Sequence, residues 1–219
     1  MTASLDFAAA RDVMVDGQLR PTKIINELVL SAMRQLPRER FVPAARQNLA
    51  YIDDDLQIAP GRYLLRPLTI ARLVQMAQPL PGERALIIGA GTCYMAAVLA
   101  RCGVAVTALE ENPALLAIAR QNRDLLAGVA ITEGKLADGV MAGSPYDLIF
   151  IEGAVSEIPL KFAKILSEAG RLITIVSKPR GAGAAVIARR NEAGFCAVPV
   201  MDVFAPQLPQ MRPQAVFAL

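Results

Sequence analysis

Two glycines and one acidic residue are spaced in this sequence as they are in nucleotide-binding sites. A short apolar run at 85–88 predicts a strand buried on both faces, and it ends in the turn Gly89-Ala-Gly91. Because glycine lacks a side chain, such a turn lets backbone N–H groups approach a ligand closely. A second apolar run ends at Glu110, 21 residues after Gly89, where an α/β fold presents a carboxylate to ribose hydroxyls. The pattern predicts a ribose-bearing cofactor.

The details of the turn favour S-adenosyl-L-methionine over a dinucleotide. The third glycine of a dinucleotide fingerprint is missing, and Cys93 follows the turn. A dinucleotide needs its pyrophosphate held at a helix N-terminus, whereas S-adenosylmethionine has no pyrophosphate. An NAD-dependent oxidoreductase stays open as an alternative.

Fold position assigns the remaining cofactor contacts. The turn would lie beneath the methionine and ribose, and Glu111 would replace Glu110 if the strand ends one residue later. Residues 134–136 would flank adenine, and Glu152 would lie near the sulfonium. Cys93 is interpreted as a small packed residue rather than a reactive thiol. The complete predicted set is Gly89, Ala90, Gly91, Thr92, Cys93, Glu110, Glu111, Gly134, Lys135, Leu136 and Glu152.

Composition excludes several kinds of chemistry. The 219 residues include no histidine, which removes Ser-His-Asp and Cys-His catalysis and most zinc sites. The three cysteines show no ligand spacing, so we expect reduced thiols, no metal and a cytoplasmic location.

Charge and hydropathy limit the kinds of partner that we expect for this protein. The formal net charge is +3, and the nearest basic cluster, Arg180, Arg189 and Arg190, has no interleaved aromatic residues. A solvated face is favoured there over a nucleic-acid site. No apolar run reaches the roughly 18 residues of a membrane span, and the start lacks a signal-peptide pattern. We expect no nucleic acid, no membrane, and a monomer or homodimer.

Strand and helix patterns alternate as in a parallel sheet, which predicts an α/β fold. We expect an N-terminal helical, substrate-side segment at 1–80 and a Rossmann-like core at 81–219, forming one compact unit. Residues 50–67 are predicted to be irregular, as is a surface-hugging tail after Pro206. Helices are predicted at 5–18, 26–36, 68–77, 94–100, 112–126 and 159–169, and strands at 85–88, 104–109, 129–133, 146–152 and 171–176, with a closing antiparallel hairpin at 184–190 and 195–204.

Several blocks resemble one family in the order in which that family carries them. The N-terminal blocks are Ala10-Arg-Asp-Val-Met-Val-Asp-Gly-Gln-Leu-Arg20, Pro37-Arg-Glu-Arg-Phe-Val-Pro43 and Ala50-Tyr51-x-Asp53; the later ones are Leu86-Ile-Ile-Gly-Ala-Gly-Thr-Cys-Tyr94, Ser144-Pro-Tyr-Asp-Leu-Ile149 and Gly170-Arg-Leu172. Together they resemble protein-L-isoaspartate O-methyltransferases over roughly residues 8 to 177.

The resemblance implies a class I methyltransferase fold with a mostly parallel seven-stranded sheet. It also implies S-adenosyl-L-methionine as cofactor and methyl esterification of isoaspartyl carboxylates in damaged proteins or peptides. A relative that uses another carboxylate acceptor, or a non-catalytic binding module, is the alternative. A carboxylate is already ionised at neutral pH, so methyl transfer to it needs no general base and no histidine.

The resemblance leaves the catalytic residue unassigned. The family's active-site serine falls at Leu65 and its threonine at Tyr63, while Ile87, Cys93 and Lys135 also depart from the family pattern. Tyr63, Arg62 and Arg66 are the neighbouring candidates. The two arginines could bind an acceptor carboxylate by bidentate hydrogen bonds. We favour instead that they face water or pair with the acidic residues at 53–55.

Overall fold

A computed structural model of the protein describes residues 6–178 and 180–212. Within these residues the strands are β1 (Leu56–Ala59), β2 (Arg62–Leu64), β3 (Arg84–Ile88), β4 (Ala105–Glu110), β5 (Val129–Glu133), β6 (Tyr146–Val155), β7 (Leu166–Val176), β8 (Gly183–Asn191) and β9 (Gly194–Val203). The α-helices are α1 (Phe7–Val13), α2 (Glu27–Gln35), α3 (Pro67–Ala77), α4 (Tyr94–Arg101) and α5 (Pro113–Gln121).

A seven-stranded sheet in the order β5-β4-β3-β6-β7-β8-β9 forms the centre of the fold. The first five strands in this order run parallel, and β8 and β9 close the sheet as an antiparallel hairpin. The central strands β3 and β6 are buried almost throughout, as their continuous apolar runs predict. The predicted fold class is confirmed.

The N-terminal helices begin at the residues whose side chains cap them. Asn26 Oδ1 accepts hydrogen bonds from the backbone N–H groups of Leu28 and Val29, and Asp6 caps α1 in the same way. The helix predicted at 5–18 is α1 continued by a π-helical stretch, Met14–Leu19. Its first predicted residue, Leu5, lies outside the described residues.

Two helix predictions are wrong in extent. The helix predicted at 112–126 ends at Gln121, because the buried Asn122 side chain bonds to Arg40 and a 3₁₀ turn follows. The helix predicted at 159–169 is only a 3₁₀ turn, Leu160–Lys164. Beyond that turn the backbone pairs with the start of β6, Tyr146 opposite Leu166, so β7 begins five residues earlier than predicted.

Residues 50–67, predicted to be irregular, contain a small antiparallel hairpin made by β1 and β2. This hairpin forms its own two-stranded sheet, separate from the central one. Its alternation of buried and half-buried residues is too short to predict a strand from sequence.

Arg38 holds the hairpin segment against the core. Its side chain is fully buried, Nε donates to the Ala50 carbonyl at 2.7 Å, and Nη2 donates to the Leu65 carbonyl at 2.7 Å. The guanidinium also lies 4.8 Å from the centre of the Tyr94 ring at the start of α4. Burial lowers the pKa of Arg38, and the neighbouring Tyr94 and Glu152 oppose that shift.

Replacing Arg38 tests this role against a matched neighbour. We expect Arg38→Ala to lower the free energy of unfolding by about 3 kcal/mol, since two buried carbonyls lose their donor. Arg40→Ala removes a solvent-exposed pair with Asp124 and one hydrogen bond, from Nε to Asn122 Oδ1, and should have a smaller effect. Urea denaturation of both variants measures the difference, and equal losses would contradict the role assigned to Arg38.

Candidate functional site

The candidate site lies at the carboxyl ends of β3, β4 and β6. The turn Gly89-Ala-Gly91 follows β3, Glu110 is the last residue of β4, and Glu152 lies within β6. These strands are neighbours in the sheet, so the predicted contacts come together at one edge.

The glycine turn adopts backbone conformations that favour glycine. Gly89 and Gly91 have φ angles of +76° and +57°, and Cys93 at +70° is also left-handed. The N–H groups of Gly89 and Ala90 both donate to the Leu109 carbonyl at 3.0 Å. The turn is therefore tied to β4 and is not open on that side.

Thr92 and Cys93 are both buried in the fold. The Thr92 hydroxyl is buried and donates to the Phe41 carbonyl at 2.6 Å. The Cys93 thiol is buried, and desolvation raises its pKa, followed by the negative charges of Glu152 and Glu110. A thiol held protonated is unreactive, in agreement with the packing interpretation of Cys93.

Glu110 is fully buried and its carboxylate accepts five hydrogen bonds. Three come from backbone N–H groups: Gly91 at 2.7 Å, and Glu111 and Asn112 at 2.9 Å each. The other two come from Arg62, whose Nη1 and Nη2 each donate at 2.7 Å to a different oxygen. A carboxylate offers about four lone-pair positions, so no acceptor position remains free.

Arg62 reaches this carboxylate from β2 of the small hairpin. Its side chain is 2% exposed, and Nη2 also donates to the Gly89 carbonyl at 3.0 Å. The expectation that Arg62 faces water or pairs with residues 53–55 is wrong: its charge is compensated by Glu110. Arg66 does contact the acidic residues at 53–55, but through its backbone N–H, which donates to Asp55 Oδ1 at 2.7 Å.

The Leu208 side chain packs against Gly89 and Gly153. A Cβ atom on Gly89 would lie 2.9 Å from Leu208 Cδ2, and one on Gly153 would lie 3.2 Å from Leu208 Cβ. Two backbone hydrogen bonds hold the segment around Leu208 to β6. The Ala154 N–H donates to the Pro206 carbonyl at 2.9 Å, and the Leu208 N–H donates to the Ala154 carbonyl at 2.8 Å. The prediction of a surface-hugging tail after Pro206 is therefore wrong here, since burying Leu208 removes apolar surface from water.

In this conformation apolar side chains occupy the space at the glycine turn. Ile58 lies against Gly91, where a Cβ would meet its Cδ1 at 3.2 Å, so both glycines are covered by side chains. The residual cavity has a volume of about 10 Å³ and is lined by Gly61, Arg62, Tyr63, Leu65, Glu152, Gly153, Pro206, Gln207 and Leu208. Pockets for small organic ligands measure about 300–1,000 Å³.

Glu152 is a buried carboxyl group facing this small cavity. Its Oε2 has no hydrogen-bond partner among the described residues. Burial raises the pKa of Glu152 to about 8; the nearby Arg62 charge opposes the shift and the Glu110 charge adds to it. Glu152 is therefore mostly protonated at neutral pH.

The other predicted site residues differ in burial and in their hydrogen bonds. Glu111 Oε2 accepts from the Leu136 N–H at 3.0 Å, which orients residues 134–136 beside the turn. Leu136 is buried close to Gly89, whereas Lys135 is exposed. Tyr63 is half-buried, and Leu65 is buried with its carbonyl bonded to Arg38.

Arg38 and Leu208 are among the residues of the site that sequence reasoning missed. Arg38 belongs to a block between two prolines that resembles the family, yet nothing in its pattern indicates burial of a charge. Leu208 is a single apolar residue in a proline-rich tail, where no periodicity exists to place it. No group of His, Cys, Asp and Glu side chains suited to a metal ion occurs among the described residues.

Sequence comparison finds one family over most of the chain. The family model for protein-L-isoaspartate(D-aspartate) O-methyltransferase matches residues 11–206. A protein-L-isoaspartate O-methyltransferase of Koribacter versatilis is 35% identical over 199 residues, covering 89% of each chain. One of Methylorubrum extorquens is 38% identical over 194 residues, covering 87% of this chain and 84% of the relative.

Solved structures show the same fold. A Plasmodium falciparum beta-aspartate methyltransferase (PCMT), in complex with S-adenosyl-L-homocysteine, superposes with a TM-score of 0.78 at 19% identity, covering 91% of this chain and 98% of that one. A second protein-L-isoaspartate O-methyltransferase superposes with a TM-score of 0.76 at 24% identity, covering 90% of this chain and 65% of that one. Among residues 6–178 and 180–212, none of the helices has the length and apolar character needed to cross a membrane.

The protonation of Glu152 predicts a pH dependence of stability. The folded-state pKa of about 8 lies above the ordinary value of 4.5, so the folded protein binds the extra proton between these pH values. The contribution of Glu152 to the free energy of unfolding therefore falls as pH rises from about 4.5 to 8, by at most about 1.4 kcal/mol per pH unit.

Glu152→Gln keeps the shape of the neutral acid and removes its titration. Relative to the unchanged protein, the stability of this variant should increase steadily between pH 5 and 8 in urea titrations. Glu157→Gln, at an exposed position beyond the end of β6, serves as control and should give no such trend. Parallel stability curves for the unchanged protein and Glu152→Gln would contradict the burial of a protonated acid.

Proposed function

This chain belongs to the protein-L-isoaspartate(D-aspartate) O-methyltransferase family, and we propose that it methylates isoaspartyl carboxylates of damaged proteins with S-adenosyl-L-methionine. The observation that carries the proposal is the family match over residues 11–206, which spans both the hairpin with Arg62 and the sheet edge with Glu110. The relatives match over nearly their full length as well, so the proposal concerns the whole activity rather than a shared domain.

The proposal assigns roles by position at the sheet edge. Gly89 and Gly91 form the floor of the cofactor site, Glu110 is the acceptor for the ribose hydroxyls, and residues 134–136 flank the adenine. Glu111 supports that adenine segment through its bond to the Leu136 N–H. In the conformation described above these positions are covered, so the proposal requires the hairpin and the segment around Leu208 to move.

The acceptor side is formed by the hairpin and β6. Tyr63, Leu65 and Glu152 line the same residual cavity, and Leu65 offers no hydrogen-bonding side chain. An isoaspartyl carboxylate is ionised near neutral pH, so the protein needs to orient it and exclude water rather than supply a base. Residues 1–80 form the substrate-side segment in this proposal.

The proposed partner and location follow from the same chemistry. The acceptor is a protein or peptide that carries isoaspartate, and the protein works in the cytoplasm as a monomer or homodimer. Cys93, Cys102 and Cys196 are free thiols, which agrees with a reducing compartment.

A methylation assay tests the proposal directly. Radiolabelled S-adenosylmethionine is incubated with an isoaspartyl peptide and with the same peptide carrying normal aspartate, and base-labile methyl ester is measured. We expect label only on the isoaspartyl peptide. Label on neither peptide, with the protein folded and the cofactor bound, would exclude the isoaspartyl acceptor.

Glu110→Gln should reduce methylation of the isoaspartyl peptide by at least about tenfold, because one charged hydrogen-bond acceptor is lost. Its control is Glu133→Gln. Glu133 lies opposite Glu110 on the neighbouring strand β5, but its side chain is exposed and pairs with Arg120. Circular dichroism separates loss of cofactor binding from loss of fold. Equal rates for the two variants would remove Glu110 from the site.

A further inference from the structure

We infer that Arg62 is an internal competitor for the ribose position, so that the cofactor binds only after the Arg62 guanidinium leaves Glu110. The inference rests on the proposed function, since it concerns the same cofactor site. It assigns to Arg62 a role in setting cofactor affinity.

The first support is the chemistry that Arg62 presents to Glu110. Its two Nη atoms donate in parallel to the two carboxylate oxygens, at 2.7 Å each. The two hydroxyls of a ribose offer a carboxylate the same number of donors from adjacent atoms. The guanidinium fork therefore satisfies Glu110 in the way the ribose would, and with a full positive charge.

The second support is the saturation of the carboxylate. Gly91, Glu111 and Asn112 supply three further N–H donors that belong to the backbone of the turn and of the helix start. These three bonds are independent of the hairpin. Of the five donors, only the two from Arg62 come from a side chain that can withdraw and release acceptor positions for a ligand.

The third support is that Arg62 can leave without breaking the central sheet. It lies on β2, a strand of three residues that, within the part of the chain the structure describes, pairs with β1 alone. Leu208, which covers Gly89, likewise lies in a segment held to β6 by two backbone bonds. Each element closes the site from one side, and the competitor role requires each to open locally.

The closed arrangement lowers the apparent affinity for the cofactor. If only a fraction of molecules has Arg62 withdrawn, the apparent dissociation constant rises by the inverse of that fraction. Removing the Arg62 guanidinium should therefore lower the apparent dissociation constant by the same factor. The three backbone donors remain in Arg62→Gln, so the buried Glu110 charge keeps most of its hydrogen bonds.

Calorimetric titration with S-adenosyl-L-homocysteine tests the inference on the full chain. We expect Arg62→Gln to bind at least about tenfold more tightly than the unchanged protein. Arg62→Lys should fall between the two, since a lysine gives one point contact in place of a fork. Arg46→Gln, which removes an exposed arginine from the neighbouring segment, is the control and should leave the affinity unchanged.

Each outcome has a defined meaning. Tight binding by the unchanged protein, with no gain in Arg62→Gln, overturns the competitor role while the proposed function stands. Weaker binding by Arg62→Gln also overturns it, because Arg62 would then contact the ligand. Absence of binding in all variants overturns both the inference and the proposed function. If Arg62→Gln does not fold by circular dichroism, the Lys variant decides: its affinity must exceed that of the unchanged protein.

Discussion

The buried carboxylate of Glu110 is the group on which the arrangement of the site depends. A charge removed from water must be compensated by hydrogen bonds or by an opposite charge, and otherwise destabilises the fold by several kcal/mol. Here three backbone N–H groups and the Arg62 guanidinium supply that compensation. As a result, one side chain joins the end of β4, the glycine turn, the start of α5 and the small hairpin. The position of the hairpin over the site follows from the need to compensate this charge.

The same closure explains the electrostatics of the neighbouring groups. Because Ile58 and Leu208 cover the glycines, water has little access to the cavity, and Glu152 stays protonated beside Arg62 and Glu110. Arg38 supports the wall through the carbonyls of Ala50 and Leu65. The site is thus a buried region of the core in which Arg62 and Glu110 compensate each other's charge, and opening it for a ligand requires a replacement for each contact that is lost.

Local sequence patterns predicted much of the fold. Apolar runs located the buried strands, an asparagine cap located the start of α5, and the spacing from Gly89 to Glu110 located the carboxylate at the sheet edge. The patterns failed where pairing with a distant segment overrides local preference. Leu166 pairs with Tyr146 of β6 where a helix was predicted, and β1 with β2 is too short to show a period.

The candidate site was predicted only in part, for a related reason. Arg62 and Glu110 are 48 residues apart, and nothing in either neighbourhood shows that they meet. The local sequence around Arg62 is typical of a solvent-exposed loop, and only the tertiary packing shows that this side chain is buried. Leu208 reaches the glycine turn because its neighbour Gln207 pairs with Ala154, and one apolar residue between prolines cannot indicate that pairing. Contacts that close a site belong to the tertiary structure rather than to a motif.

Crystal structures of the protein with and without S-adenosyl-L-homocysteine would show whether Arg62 and the ribose occupy the same position at Glu110. Without ligand, we expect the Arg62 guanidinium on both oxygens of Glu110 and Leu208 above Gly89. With ligand, the ribose hydroxyls should take the place of the guanidinium while the three backbone bonds to Glu110 persist. A liganded structure in which Arg62 still forms both bonds to Glu110, or an unliganded structure with an open pocket, would contradict the account.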